Sequence, residues 1–175
     1  MIELLRKRRS IRVYEERKIE PEKIEILKEA LLRSPSSRGI NPWEFLFVDD
    51  AETLGKLSAA KEHGSEFLDN AALGIVVCGD VTKSDVWVED CSIASVVVQM
   101  VAQSIGLGSC WIQIRNRMHN NSVTSEEYVQ KLLNIPANMK VESIISIGYP
   151  AERKPAISKS KLQYKKIKYV KIVGP

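Results

Sequence analysis

Three arginines and one serine fall within five residues, Arg8-Arg9-Ser10-Ile11-Arg12. In an extended segment alternate side chains share a face, which groups Arg8, Ser10 and Arg12 and sends Arg9 and Ile11 the other way. Two guanidinium forks flanking a hydroxyl match a phosphate monoester. Each fork gives paired charge-assisted hydrogen bonds, and the hydroxyl takes a third oxygen. The alternative is a solvated basic turn after a short first helix. A second stretch, Pro35 to Trp43, combines hydroxyls with chain breakers. Its Ser36 and Ser37 either reach a ligand or close local bonds to backbone where a helix stops. Gly106-Leu107-Gly108 lacks the third glycine of a dinucleotide loop and follows a helical pattern, so it reads weakly as a phosphate loop. Nothing in the sequence activates the nearby Cys110, which reads as packing.

A chain of 175 residues suits one domain spanning 1–175, with a real core. The net charge of +4 is mild, and much of the excess lies in residues 6–12 and 153–171. That distribution suits an anionic small ligand held between the two ends. No segment carries a dense basic stripe with interleaved aromatics, which argues against a nucleic-acid partner. Cys78, Cys91 and Cys110 are odd in number and widely spaced, without a CxxC, as in a reducing interior. With only His63 and His119, a histidine-rich metal site is out of reach. No signal peptide or membrane-length apolar run is evident, so the expected location is the cytoplasm, with no membrane partner.

These residues need elements to hold them. Met1 to about Lys7 reads as a short helix. Pro21 opens a second helix, striped by Ile24, Leu27, Ala30 and Leu31 and stopped at Ser34-Pro35. Glu44–Val48 alternates as a strand, Ala51 to about Glu62 reads as a helix, and Leu73–Cys78 is a short apolar strand. From about Asp85 to Ile105 runs the most apolar helix. Ala94, Val97, Val98, Val101 and Ile105 line one face, and Ile93, Val96 and Met100 line another, so burial on both sides is expected. Ser109–Ile114 is extended, Ser125–Leu133 helical, and Val141–Tyr149 a strong strand. Lys166–Val173 alternates lysine with Ile167, Tyr169 and Ile172, as an edge strand would. The order gives an α+β sandwich around a buried central helix.

In four motifs the chain resembles the flavin-dependent nitroreductase family. They are Arg8-Arg9-Ser10-Ile11-Arg12, Pro35-Ser36-Ser37 with Asn41-Pro42-Trp43, Gly106-Leu107-Gly108-Ser109-Cys110-Trp111-Ile112, and Gly148-Tyr149-Pro150. The resemblance implies an α/β/α sandwich with a mixed, mainly antiparallel sheet, an intertwined homodimer and a C-terminal arm from about residue 156. It implies FMN as cofactor, NAD(P)H as co-substrate and a small electrophile, such as a nitroaromatic or quinone, as acceptor. Arg8, Ser10 and Arg12 would hold the FMN phosphate. Lys161 would join them or remain a surface lysine, and Arg9 would lie over the ring or face solvent. Pro35, Ser36, Ser37, Gly39 and Asn41 would form the loop that meets the partner subunit's flavin. Trp111 and Ile112 would flank the pocket, and the backbone N–H groups near Gln113 and Ile114 would face flavin N5 and O4. No side-chain catalyst is implied, because the flavin carries the chemistry. The chain departs from the family pattern in having Gly39 where it has asparagine and Asn41 where it has glutamine. The connection from Asp80 to the central helix is also short, without roofing helices. An FMN store or sensor with little turnover is the other reading.

Overall fold

The computed structural model describes residues 1–170. Its elements are α1 (Ile2–Lys7), α2 (Pro21–Leu32), β1 (Trp43–Val48), α3 (Ala51–Ser58), β2 (Leu73–Asp80), α4 (Trp87–Ser104), β3 (Gly108–Gln113), α5 (Ser125–Leu133) and β4 (Met139–Gly148). The four strands form one sheet in the order β1-β2-β4-β3, and every strand pair is antiparallel. Parallel pairing occurs at a single bridge, Ser10 with Ser109. β2 is buried along its whole length, as its continuous apolar run requires in a sheet covered on both faces.

On one face, Leu27 and Leu31 of α2 and Ala94 and Val98 of α4 pack on Ile75, Val77, Ile145 and Ile147. On the other, Leu54 and Leu57 of α3 and Val129 of α5 pack on Val76, Cys78 and Ile144. The result is the expected α/β/α sandwich with α4 against the sheet.

Three expectations meet different local physics. α3 stops at Ser58, short of Glu62, because the Ser65 hydroxyl donates to the Ser58 carbonyl (2.7 Å) and accepts from the Lys61 N–H (3.2 Å). That side chain ends the helix as a serine at a cap would. The second apolar side of α4 divides: Met100 is buried within the chain at 6 % exposure, whereas Ile93 and Val96 are 42 % and 53 % exposed. The tail also differs from an edge strand. Its described part holds a 3-10 turn at Tyr164–Lys166, and Tyr169 is 95 % exposed. Ile172 and Val173 lie outside the described residues.

The N-terminal segment docks by backbone. The Ile11 N–H donates to the Ser109 carbonyl (3.0 Å), Ala151 N–H to Val13 (2.9 Å) and Glu15 N–H to Tyr149 (2.8 Å). Gly108 permits this approach, since a Cβ there would lie 2.9 Å from the Ile11 side chain. Tyr14 pins the segment with its buried hydroxyl, which reaches the Ile11 carbonyl and the Ser146 hydroxyl, each at 2.7 Å.

Candidate functional site

The Arg8–Arg12 segment spreads its side chains. Ile11 is in the core, and the Arg9 guanidinium turns away to the Pro155 carbonyl. The Arg12 guanidinium lies over the Phe67 ring at 5.5 Å, and Arg12, Ser10 and Arg8 all lie near enough to Cys110 of β3 to bear on its thiol. Burial pushes that thiol up. The charge on Arg12, a hydrogen bond with Ser10 and the charges on Lys154 and Arg8 act in the opposite direction. Lys154 was not singled out in the sequence, yet its ammonium donates to the Ser10 carbonyl (2.8 Å) and pairs with Glu152 (2.9 Å). Glu152 also accepts from the Arg12 N–H (2.6 Å), so the two chain ends are cross-braced around the cluster. Lys161 sits in a 3-10 turn on the exposed arm, and no hydrogen bond or ion pair joins its side chain to Arg8–Arg12 among the described residues.

β3 is a sheet edge, and the parity of its backbone decides which groups face out. The Ser109 carbonyl points outward to Ile11, and the Ile114 N–H points inward to the Glu142 carbonyl (3.2 Å). In an antiparallel ladder such directions alternate, so the N–H groups of Trp111 and Gln113 face the open edge. Ile112 and Ile114 are 1 % and 0 % exposed and pack in the core. Of the expected donors near Gln113 and Ile114, the edge therefore presents Gln113. The Gln113 side chain is tied into the strand, accepting from Trp111 Nε1 and donating to the Arg115 carbonyl, both at 3.0 Å. β4 carries a bulge on its other side, toward β2, at this end of the sheet. Val77 faces Ser143 and Cys78 faces Val141, leaving Glu142 as the extra residue. Its carbonyl accepts from both Ile114 and Arg115.

The serine loop lies elsewhere. β1 and β3 are opposite edges of the sheet, about 14 Å apart at the usual strand spacing. Trp43 pairs with Gly79 and Gly79 with Lys140, so the loop enters at the Gln113 end of the sheet, while Ser10 docks at the Gly108 end. Within one chain the loop and the cationic cluster are thus diagonally opposed. The loop is held in left-handed backbone, with φ of 55° at Arg38, 66° at Gly39 and 51° at Asn41. Non-glycine residues persist in that region only where their surroundings demand it. The Ser36 hydroxyl accepts from the Asn41 N–H (2.9 Å), and the Ser37 N–H donates to buried Asp90 (2.7 Å). The Ser37 hydroxyl has no partner among the described residues, and Pro35 is exposed. Trp43 Nε1, at the end of the loop, is buried and unpartnered. Around Gly39 nothing lies within 4 Å of where a Cβ would stand. Only Val81 to Val86 join β2 to α4, and Arg38 closes over them through an ion pair with Asp85.

The arrangement can therefore bind a phosphate at the start of β3 and offer backbone donors to a planar polar edge further along it. The model of the nitroreductase family matches residues 5–63 and 55–149. The chain is 39 % identical over 157 residues to a protein of Archaeoglobus fulgidus named as an NADH dehydrogenase/NAD(P)H nitroreductase, covering 87 % of each. It is 46 % identical to the solved structure of an FMN-dependent nitroreductase from Clostridium difficile, with a TM-score of 0.96 over 98 % of this chain and 100 % of that one. A structure from Bacteroides thetaiotaomicron, described as an NADH dehydrogenase/NAD(P)H nitroreductase, is 32 % identical with a TM-score of 0.87, over 96 % of this chain and 95 % of that one. The chain belongs to the nitroreductase family.

Proposed function

We propose that this chain is an FMN-dependent oxidoreductase that uses NAD(P)H to reduce a small electrophile such as a nitroaromatic or a quinone. The observation that carries the reading is the pairing of a cationic cluster with an open strand edge. Arg8, Ser10, Arg12 and Lys154 gather at one end of β3, and outward N–H groups follow at Trp111 and Gln113. The donor set fits FMN, because cations and a hydroxyl suit its phosphate and backbone N–H groups suit its ring heteroatoms. The names of the A. fulgidus and C. difficile relatives support the same chemistry.

Bound FMN would supply the hydride chemistry. The residues of this chain would bind and orient it: the two arginines would neutralise the phosphate, the Ser10 hydroxyl would take one of its oxygens, and the Gln113 N–H would donate to the ring. Cys110 stays a thiol in packing, since burial works against its ionisation. The diagonal separation of the serine loop from the cluster supports a homodimer in which the loop of one subunit meets the cluster of its partner. The exposed Ile93 and Val96 and the uncovered arm support the same assembly. Three unpaired buried thiols fit a reducing cytoplasm.

The visible spectrum of the purified protein tests this reading. A yellow protein that bleaches within seconds under anaerobic NADH or NADPH is expected, and a colourless one overturns it. The open space at Gly39 favours a second reading, an FMN store or sensor with little turnover. A yellow protein that neither coenzyme bleaches would establish that alternative.

A further inference from the structure

Past the C-terminal end of β3 the chain turns through Asn116–Met118 and meets the loop Lys61–His63 that follows α3. The two walls enclose a cleft of about 360 Å³. They are tied rigidly. The Glu62 N–H donates to the Met118 carbonyl (3.2 Å), the Ser125 N–H to the Arg117 carbonyl (2.9 Å), and His119 Nδ1 contacts the Ala59 carbonyl (2.7 Å) while its ring stacks on Tyr128 at 4.0 Å.

Two cations line this open cleft against one carboxylate. Lys61 and Arg117 line the cleft with His63, and neither Lys61 nor Arg117 forms an ion pair among the described residues. The Lys61 ammonium is half-buried and its pKa is lowered, first by burial and then by the charge on Arg117. Glu66, the carboxylate that offsets it, is engaged by the Gly64 N–H at 2.8 and 3.0 Å. Glu62 on the rim is the one carboxylate lining the cleft. Two cations beside one carboxylate leave the cleft net positive and suited to an anion. None of Arg8, Ser10 and Arg12 lines the cleft, although Lys61 lies near enough to Cys110 for the thiol's charge to bear on it.

Resting on the function proposed above, we propose that the Lys61–Arg117 cleft takes the 2′-phosphate of NADPH, making NADPH the preferred hydride donor. Arg117 lies four residues beyond Gln113, the edge donor assigned to the ring of the cofactor, so the cleft sits past the same end of β3 as that donor. A phosphate monoester is dianionic near neutral pH and suits paired cations. The bridging phosphates common to NADH and NADPH carry one charge each and would not discriminate.

The test uses the full-length protein and the double variant Lys61→Met, Arg117→Ala. Calorimetric titration with 2′,5′-ADP and with 5′-AMP reads the cleft without any flavin chemistry. Tighter wild-type binding of 2′,5′-ADP, weakened about tenfold or more in the variant, is expected. Anaerobic bleaching should show half-saturation by NADPH raised by a similar factor and that by NADH moved less than about twofold. Flavin content and melting temperature monitor folding, and Arg117→Lys alone should restore part of the preference. Equal weakening of both coenzymes would assign the cleft to the bridging phosphates and overturn the proposal. So would wild-type protein that binds 2′,5′-ADP no better than 5′-AMP. A wild-type protein without flavin would refute the oxidoreductase reading, while the 2′,5′-ADP titration would still decide on the cleft.

Discussion

At the scale of residues, Arg8 and Arg12 act on one buried thiol from an extended segment, with Ser10 between them. Replacing both by alanine removes two charge-assisted contacts of about 1.5–3 kcal/mol each, so FMN affinity should fall by two orders of magnitude or more. Flavin retention on dialysis measures this, and wild-type affinity in the double variant would disprove the phosphate assignment. Gly39 gives a test of opposite sign. Its φ of 66° suits asparagine better than other side chains, and its surroundings leave room for one. Gly39→Asn should tighten FMN or shift its reduction potential, and fluorescence titration with redox titration would show either. The nearness of Arg8, Ser10 and Arg12 to one another was legible in the sequence because it needs only an extended backbone. Lys154 and Glu152 were not, since they reach residues 144 and 140 positions away and nothing local marks which lysine of a basic tail folds back.

At the scale of elements, strand existence was legible from apolar runs and alternation, whereas strand parity was not. Which N–H groups of β3 face out is read from the Ser10–Ser109 bridge at one end and the Ile114–Glu142 hydrogen bond at the other. Both are long-range pairings, so a two-residue window around Gln113 and Ile114 could be read but not resolved. The end of α3 was misplaced for a similar reason, because the Ser65 hydroxyl seven residues on from Ser58 closes it. The joint between α2 and the end of β4 carries a pH-dependent contribution. The Tyr149 hydroxyl, then local backbone and Arg17, hold the Glu20 carboxyl at about 2, below its ordinary 4.5. The folded state favours the charged form, so the stabilisation is present above about 4.5 and is lost as pH falls toward about 2. Tyr149→Phe should be less stable than wild type near neutrality, with the difference shrinking over that acid interval. Melting temperatures across a pH series would show this, and a constant difference would count against it.

At the scale of the whole molecule, one chain leaves unfinished business on two surfaces. The arm from residue 156 to 170 is exposed throughout, and α4 shows Ile93 and Val96 to solvent. A single sequence marks these residues as wanting cover but does not say what covers them. If a partner subunit does, deleting the residues after Pro155 should lower both dimer stability and flavin content. Sedimentation and the visible spectrum measure the two together, and a truncated protein that stays dimeric and yellow would exclude the arm from both roles. The open edge of β3 bears on solubility as well as on ligands. Exposed sheet edges are where foreign strands attach and chains aggregate. Here the Arg8–Ile11 segment covers one end of the edge, and at the other the Glu142 carbonyl takes the Ile114 and Arg115 N–H groups. What remains is two donors, at Trp111 and Gln113, about 7 Å apart at the usual rise of a strand. A window that narrow is wide enough for the rim of a ring and too short to template a strand, so β3 keeps an unpaired edge without offering itself as a seed for fibres.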